Sequence, residues 1–241
     1  MIDIHCHILP DVDDGPKSWE SSIEMCRMAF ADGIEHMVAT PHANDRYHYD
    51  REYLRRLLID LRERIGDGPE LSLGCDFHMS FENLQSAMSD STRYCIAGTH
   101  YMLAEMSNYG VPPQIDQSLT QLRTLGITPI ITHPERNPIL QQNLQRVLQW
   151  IELGCVVQVT ASTLAGFWGL QAAQAADWLL KHKAVHVLAT DSHDTKRRVP
   201  NLSAARTIIA ESYGSDVAQA LVDDNPRAII HDQPLPYYET N

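Results

Sequence analysis

Short, nearly continuous apolar runs alternate along the chain with longer segments whose apolar residues fall three and four apart. The runs are "MIDIH" (1–5), "IEHMVAT" (34–40), "LSLGCDF" (71–77), "YMLAEM" (101–106), "TPIITH" (128–133), "CVVQVT" (155–160) and "VHVLAT" (185–190). Apolar runs of this length predict parallel strands covered on both faces. Between them, Trp19, Ile23, Cys26 and Phe30 predict a helix capped by Ser18 and ended by Gly33. Leu54, Leu57, Leu58, Leu61 and Ile65 predict a second, closed by Gly66. Ile115, Leu119 and Leu122 precede Gly126; Leu144, Val147, Leu148 and Ile151 precede Gly154; Ala173, Ala176, Leu179 and Leu180 form another stripe. Repeated strand–helix units predict βαβ winding. Seven strands suit an α/β barrel; a doubly wound sheet is the structural alternative, and no Gly-x-Gly-x-x-Gly follows the first strand. No linker or repeat divides the 241 residues, which predicts one domain over 1–241. The polar, proline-containing end, from about 231, reads as an extended tail.

Composition narrows the picture. Apolar residues at 44% and charged residues at 21% are those of an ordinary soluble protein. A net charge of −12 argues against nucleic acid as partner. No apolar run is long enough for a membrane span, and the polar start predicts no signal peptide. The five cysteines (Cys6, Cys26, Cys75, Cys95, Cys155) are scattered without a C-x-x-C pair, as expected for reduced thiols in the cytoplasm. None precedes an arginine by six positions, so the cysteine-phosphatase loop is absent.

The chemistry lies at the strand ends. Residues two apart on a strand share a face, so His5 and His7 are expected to project together with Asp3, opposite Ile2 and Ile4. His42 follows the second strand, Asp76 and His78 end the third, and Glu105 ends the fourth. His133 and Arg136 follow the fifth; Asp191 and His193 follow the seventh. The sixth ends in Thr160 and offers nothing obvious. Functional groups of parallel α/β folds gather at these carboxyl ends. Imidazoles and carboxylates in such numbers predict a shared site for two or three divalent ions, Mn, Fe or Zn, without thiolate ligands. His78 has a place open at this site. His36, His48, His182, His186 and His231 read as surface or strand-edge residues, and His100 is ambiguous.

The segments "DIHCHILPDVDDGPKS", "ATPH", "GITPIITHPER" and "ATDSHD" resemble the PHP (polymerase and histidinol phosphatase) superfamily. Within it they are most similar to the bacterial metal-dependent protein-tyrosine phosphatases of capsule and exopolysaccharide loci, over almost the whole chain. The resemblance implies a distorted, TIM-like (β/α)7 barrel with a trinuclear site, usually manganese. It implies one ion on His5, His7 and Asp191 with Asp76 bridging, a second on Asp76, Glu105 and His133, and a third on Asp14, His42 and His193. Asp76 stands where the family usually has a glutamate, and Asp13 is a substitute for Asp14. The implied reaction is phosphomonoester hydrolysis by a metal-bridging hydroxide, with Arg136 and Arg198 on the phosphoryl oxygens and Arg197 as a neighbour. Arginine suits that task because its planar fork bonds two oxygens. The implied partner is a phosphotyrosine protein, such as a polysaccharide-assembly tyrosine kinase, in the cytoplasm. Two enzymatic alternatives share the metal site: a small-molecule phosphatase acting on histidinol phosphate or a similar ester, and a metal-dependent amidohydrolase. Many amidohydrolases use a carboxylated lysine on a middle strand, and Lys17, Lys181, Lys183 and Lys196 lie at none. A binding module built on a degenerate barrel is the non-enzymatic alternative.

Overall fold

The structure is a computed structural model that describes residues 1–237. Among them the seven apolar runs become nine parallel strands: β1 (Ile2–Cys6), β2 (His36–Ala39), β3 (His42–Ala43), β4 (Glu70–Leu73), β5 (Asp76–His78), β6 (Tyr101–Glu105), β7 (Thr128–Thr132), β8 (Val156–Thr160) and β9 (Val187–Ala189). The number rises because a short strand forms beyond the second run and the third run breaks. Pro41 has no N–H for a ladder and separates β2 from β3. Gly74 and Cys75 separate β4 from β5. A Cβ at Gly74 would lie 3.1 Å from Val38 Cγ1 and 3.2 Å from Thr40 Cγ2, so any side chain here would crowd both neighbours.

The first halves pair as β1-β2-β4, and the second halves join a six-stranded sheet ordered β3-β5-β6-β7-β8-β9. Beyond β9, the Asp191 N–H donates to His5 O at 2.8 Å and the His7 N–H to Ser192 O at 2.8 Å, which ties the last strand back to the first.

The helices are α1 (Trp19–Ala31), α2 (Arg51–Ile65), α3 (Phe81–Ser89), α4 (Ile115–Thr124), α5 (Gln145–Glu152), α6 (Ala161–Leu164), α7 (Leu170–Lys181), α8 (Ser203–Tyr213), α9 (Ser215–Gln219) and α10 (Asn225–Ile230). Ser18 caps α1 as expected, accepting from the Ser21 N–H. The buried face of α1 is rotated from the expected stripe: it carries Ser22, Met25, Cys26 and Ala29, and Phe30 is half exposed. Likewise α7 buries Ala172 and Ala175 with Ala176, Leu179 and Leu180, and Ala173 only partly. Gly33, Gly66, Gly126 and Gly154 follow their helices with positive φ; after α7, Lys183 takes φ 55° instead. The helices α3, α8, α9 and α10 carry no stripe that the sequence reading recognised; α8 buries only Ala205 and Ile209.

Two apolar clusters fill the interior. The smaller collects alternate strand residues, among them Ile2, Ile4, Val38, Leu103, Ile130, Val156 and Val187. The larger lies between the strands and the helices. Burial on both sides is the physical reason the strand sequences are so continuously apolar. The segment after α10 is anchored: Tyr101 Oη donates to Gln233 O at 2.7 Å, and the Tyr237 N–H to Asn225 Oδ1 at 3.0 Å. The rest of the expected tail, 238–241, lies outside the described residues.

Candidate metal centre

The β1 strand does not keep the simple alternation its sequence predicts. Ile2 pairs with His36 and Asp3 with Met37, but Cys6 pairs with Ala39, so one extra residue is accommodated between Asp3 and Cys6. Such a bulge re-aims side chains. His5 Nδ1 reaches Gln158 Oε1 on β8 at 3.0 Å, and Asp3 departs from the expected common face. Asp3 instead accepts from the Thr190 N–H at 3.0 Å and from the Thr190 hydroxyl, holding the end of β9.

From these strand ends the side chains converge. His5 Nε2 lies 3.4 Å from Asp191 Oδ1 and 3.5 Å from Asp76 Oδ2. His7 Nε2 lies 3.4 Å from the same Asp191 oxygen. His42 Nδ1 is 3.1 Å from Asp76 Oδ2 and 3.7 Å from Glu105 Oε2. Asp14 Oδ1 sits between His42 Nε2 at 3.3 Å and His193 Nε2 at 3.2 Å. His133 Nε2 is 3.9 Å from Glu105 Oε1.

Four sets have ligand atoms mutually close enough for an ion: His7, Asp14, His42 and His193; His5, His7 and Asp76; His5, His133 and Asp191; His42, Asp76 and Glu105. All nine residues expected at the site fall in these sets. The grouping differs from the implied one: His7 joins the Asp14 set, His42 replaces His133 beside Glu105, and His133 sits with His5 and Asp191. Asp76 belongs to two sets despite its shorter side chain. Two expectations find other places. Asp13 lies behind His7, and His78 lies on β5 outside all four sets.

The orientation of the imidazoles gives the arrangement its chemistry. His5 Nδ1 faces Gln158 Oε1, His7 Nδ1 lies 2.7 Å from Asp13 Oδ2, and His193 Nδ1 lies 3.0 Å from Asp191 O. With a proton on each Nδ1 facing its acceptor, each Nε2 presents a lone pair to the bowl. His5 Nε2, His7 Nε2, His193 Nε2, His42 Nδ1 and Asp76 Oδ1 are buried and make no hydrogen bond. Buried polar atoms rarely go unpaired, and five converging in one bowl fit a cation. An acceptor behind each ligating ring is the usual support of a metal-bound histidine. Asp13 also accepts from the Gly15 N–H at 2.9 Å and the His42 N–H at 3.2 Å, so one carboxylate organises the whole acidic loop. A Cβ at Gly15 would lie 2.9 Å from His7 O, which reserves the turn for glycine.

The field of the bowl is strongly polarised. Burial opposes charge on His5, yet Asp76 and Asp191 outweigh it and hold its pKa at about 9. Burial likewise opposes charge on His42, but Asp14 and Asp76 lift it to about 12. Burial and the Asp76 charge raise Glu105 to about 7. Burial and the His7 charge lower His193 to about 4, and burial and Arg136 hold His133 well below its ordinary value, so these two rings are neutral. The anionic bowl thus gathers positive charge wherever it is available.

Two candidate ligands carry backbone strain. His133 has φ 34° and Asp191 φ 49°, the left-handed region that costs a non-glycine residue about 1 kcal/mol or more. Both are held: the His133 N–H donates to Gln158 O at 2.9 Å, and Asp3 grips Thr190 ahead of Asp191.

Arg136 and Arg198 both reach Asp191 Oδ2, and Arg136 Nη1 also donates to Thr160 Oγ1 at 3.2 Å. Their guanidinium carbons lie 3.7 Å and 5.3 Å from the ring centre of Trp168. Arg197 is exposed; only its backbone N–H is engaged, by Asp194.

Several supporting residues escaped the sequence reading. Gln158 and Thr160 make the sixth strand end a contributor, through neutral groups that orient His5 and Arg136. Glu135, wholly buried, accepts from the Thr160 N–H at 3.0 Å and Thr163 Oγ1 at 2.9 Å. Its place between His133 and Arg136 was the available signal. His186, expected near the surface, is buried, with Nδ1 accepting from the Val157 N–H at 3.1 Å. The five cysteines are buried, and burial pushes each thiol up, Cys26, Cys95 and Cys155 to about 12. This suits inert thiols.

Residues 1–231 match the family described as capsular polysaccharide synthesis, CpsB/CapC. The chain belongs to the CpsB/CapC family. It is 33% identical to the tyrosine-protein phosphatase CpsB of Streptococcus pneumoniae, over 97% of this chain and 99% of that protein. It is 30% identical to the tyrosine-protein phosphatase YwqE of Bacillus subtilis, over 98% of this chain and 93% of that protein. One chain from the crystal structures of YwqE from Bacillus subtilis and CpsB from Streptococcus pneumoniae, unique metal-dependent tyrosine phosphatases, superposes with a TM-score of 0.91 at 30% identity, covering 98% of this chain and 96% of that one. The fold likeness extends to an Escherichia coli phosphotriesterase homology protein, with a TM-score of 0.63 at 11% identity over 95% of this chain and 98% of that one. No described helix is long and apolar enough to cross a membrane.

Proposed function

We propose that this CpsB/CapC protein is a metal-dependent protein-tyrosine phosphatase whose active site is the bowl at the strand ends. The observation that carries this reading is the set of buried, unbonded imidazole nitrogens and the Asp76 oxygen aimed into one space. The metal dependence of the similar YwqE and CpsB structures supports it.

The residues that would hold the ions are His5, His7, Asp14, His42, Asp76, Glu105, His133, Asp191 and His193. The four sets overlap at His5, His7, His42 and Asp76, which supports two or three ions with Asp76 shared. Nitrogen and oxygen donors without thiolate suit manganese, with iron or zinc as alternatives. When bound, such ions would neutralise phosphate charge and lower the pKa of coordinated water toward about 7. The chain's own residues do the rest. Asp13, Gln158 and the Asp191 carbonyl hold the three imidazoles in the ligating tautomer. Arg136 and Arg198 offer planar forks to phosphoryl oxygens, and Asp191 keeps both pointed at the bowl in the meantime. A tyrosyl oxygen, with a pKa of about 10, leaves more readily than a seryl alkoxide.

We read residues 1–241 as one domain of PHP type, and the tie between β9 and β1 supports a distorted (β/α)7 barrel. Five scattered, buried cysteines without a C-x-x-C pair support a reducing, cytoplasmic location. The family's link to capsular polysaccharide synthesis supports a phosphotyrosine partner in that machinery, such as its assembly kinase. The test compares a phosphotyrosyl peptide with histidinol phosphate as substrates, before and after chelation and manganese restoration. Faster turnover of the peptide, lost on chelation and regained with metal, is expected. Preference for histidinol phosphate, or activity indifferent to chelation, contradicts the proposal.

A further inference from the structure

The residues after α6 build a feature the bowl does not itself require. Phe167 is 43% exposed, and its ring meets that of Trp168 edge-on, with centroids 5.2 Å apart. Trp168 is half-buried, and its Nε1–H donates to Ser162 Oγ at 3.0 Å, which fixes the indole in its plane. The same indole is the shelf under Arg136 and Arg198. Trp168 therefore adjoins the two cations that face the bowl, and the exposed Phe167 ring packs on Trp168. Exposed aromatics ordinarily gain nothing from water, and this one packs on the indole that carries both arginines.

We infer that Phe167 and Trp168 form the wall that recognises the aryl group of the phosphate ester, making Phe167 a specificity-determining residue and Trp168 the positioning residue for Arg136 and Arg198. The inference rests on the phosphatase reading above. An aryl ester holds its ring one oxygen away from phosphorus. With the phosphoryl group on the two guanidinium forks, that ring falls beside Trp168, which carries them, and its neighbour Phe167. Aromatic pairs prefer edge-on or offset contact, and Phe167 already presents that geometry with Trp168. An alkyl ester has no ring to place there. The wall thus adds selectivity for tyrosyl over seryl esters to the easier departure of a phenolic oxygen.

The experiment uses the metal-loaded, full-length protein and three competitive inhibitors: benzylphosphonate, ethylphosphonate and inorganic phosphate. Phe167→Ala is expected to weaken benzylphosphonate by about 3- to 10-fold, the range of one lost aromatic contact, with ethylphosphonate and phosphate changed less than about 2-fold. KM for a phosphotyrosyl peptide should rise by a similar factor with kcat nearly unchanged. Phe167→Leu separates ring from bulk and should recover only part of the loss. Trp168→Leu should weaken all three inhibitors, because Arg136 loses its shelf, and Trp168→Phe should restore phosphate. Unchanged benzylphosphonate inhibition in folded Phe167→Ala, or equal weakening of all three inhibitors, overturns the inference. Absence of phosphotyrosyl hydrolysis by the unaltered protein would instead overturn the phosphatase reading.

Discussion

The two ends of the same strands obey opposite rules. At one level the side chains of β1, β6, β7, β8 and β9 interlock as Ile2, Ile4, Leu103, Ile130, Val156 and Val187, wholly apolar and buried. A few residues further on, the same strands deliver His5, Glu105, His133, Gln158 and Asp191. There the chain accepts left-handed backbone at His133 and Asp191, unbonded buried nitrogens and crowded carboxylates. The apolar level stabilises the fold without chemistry; the polar level costs stability and provides the chemistry. The strained end is tolerated because it is rigidly continuous with the packed one.

That contrast can be broken from either side. The largest effect is expected at the polar level. Asp191→Ala should lower kcat/KM for a phosphotyrosyl peptide by at least about 1,000-fold, or ~4 kcal/mol of barrier, while thermal unfolding moves little or rises. Next comes the apolar level, where Ile130→Ala should destabilise by about 2–5 kcal/mol in denaturant titration, with kcat of the remaining folded protein close to normal. A variant that loses activity and stability in step at both levels would show that the division is false.

Supporting residues should show a smaller effect. Asp13→Asn or Gln158→Leu should weaken metal binding by about 10- to 100-fold in a chelator competition, with fold retained, because an imidazole loses the acceptor that sets its tautomer. The smallest expected effect lies away from the bowl and depends on pH. Burial lowers the pKa of His186 to about 4, and its Nδ1 must stay unprotonated to accept from Val157. The unfolded chain, with an ordinary value near 6.5, binds the proton first as pH falls. The contribution is therefore complete above about pH 6.5 and declines toward pH 4, with about 2 kcal/mol lost by pH 5. His186→Gln should flatten that part of the stability–pH curve; an unchanged slope would show that His186 is not responsible.

How much of this was legible depends on which physical rule each residue obeys. Strands buried on both faces announce themselves, so all seven runs became strands. Charged and imidazole groups at strand ends are equally conspicuous, and the nine expected residues share one space. The breaks at Pro41 and Gly74 and the β1 bulge depend on neighbouring strands, which no single stretch reveals. Gln158 was overlooked because a neutral amide inside an apolar run gives no sign of what it faces. Helix α8 buries only two residues, Ala205 and Ile209, too few for the periodicity to stand out. The pairing of ligands into sets is a matter of ångströms, and spacing along the chain carries no such information.

The most direct test of the central claim is an anomalous-scattering experiment on crystals of the metal-loaded protein. Two or three transition-metal peaks are expected inside the space bounded by His5, His42, Asp76, His133 and Asp191. Crystals of fully active enzyme with no peak there, or with ions bound only elsewhere on the surface, would contradict it.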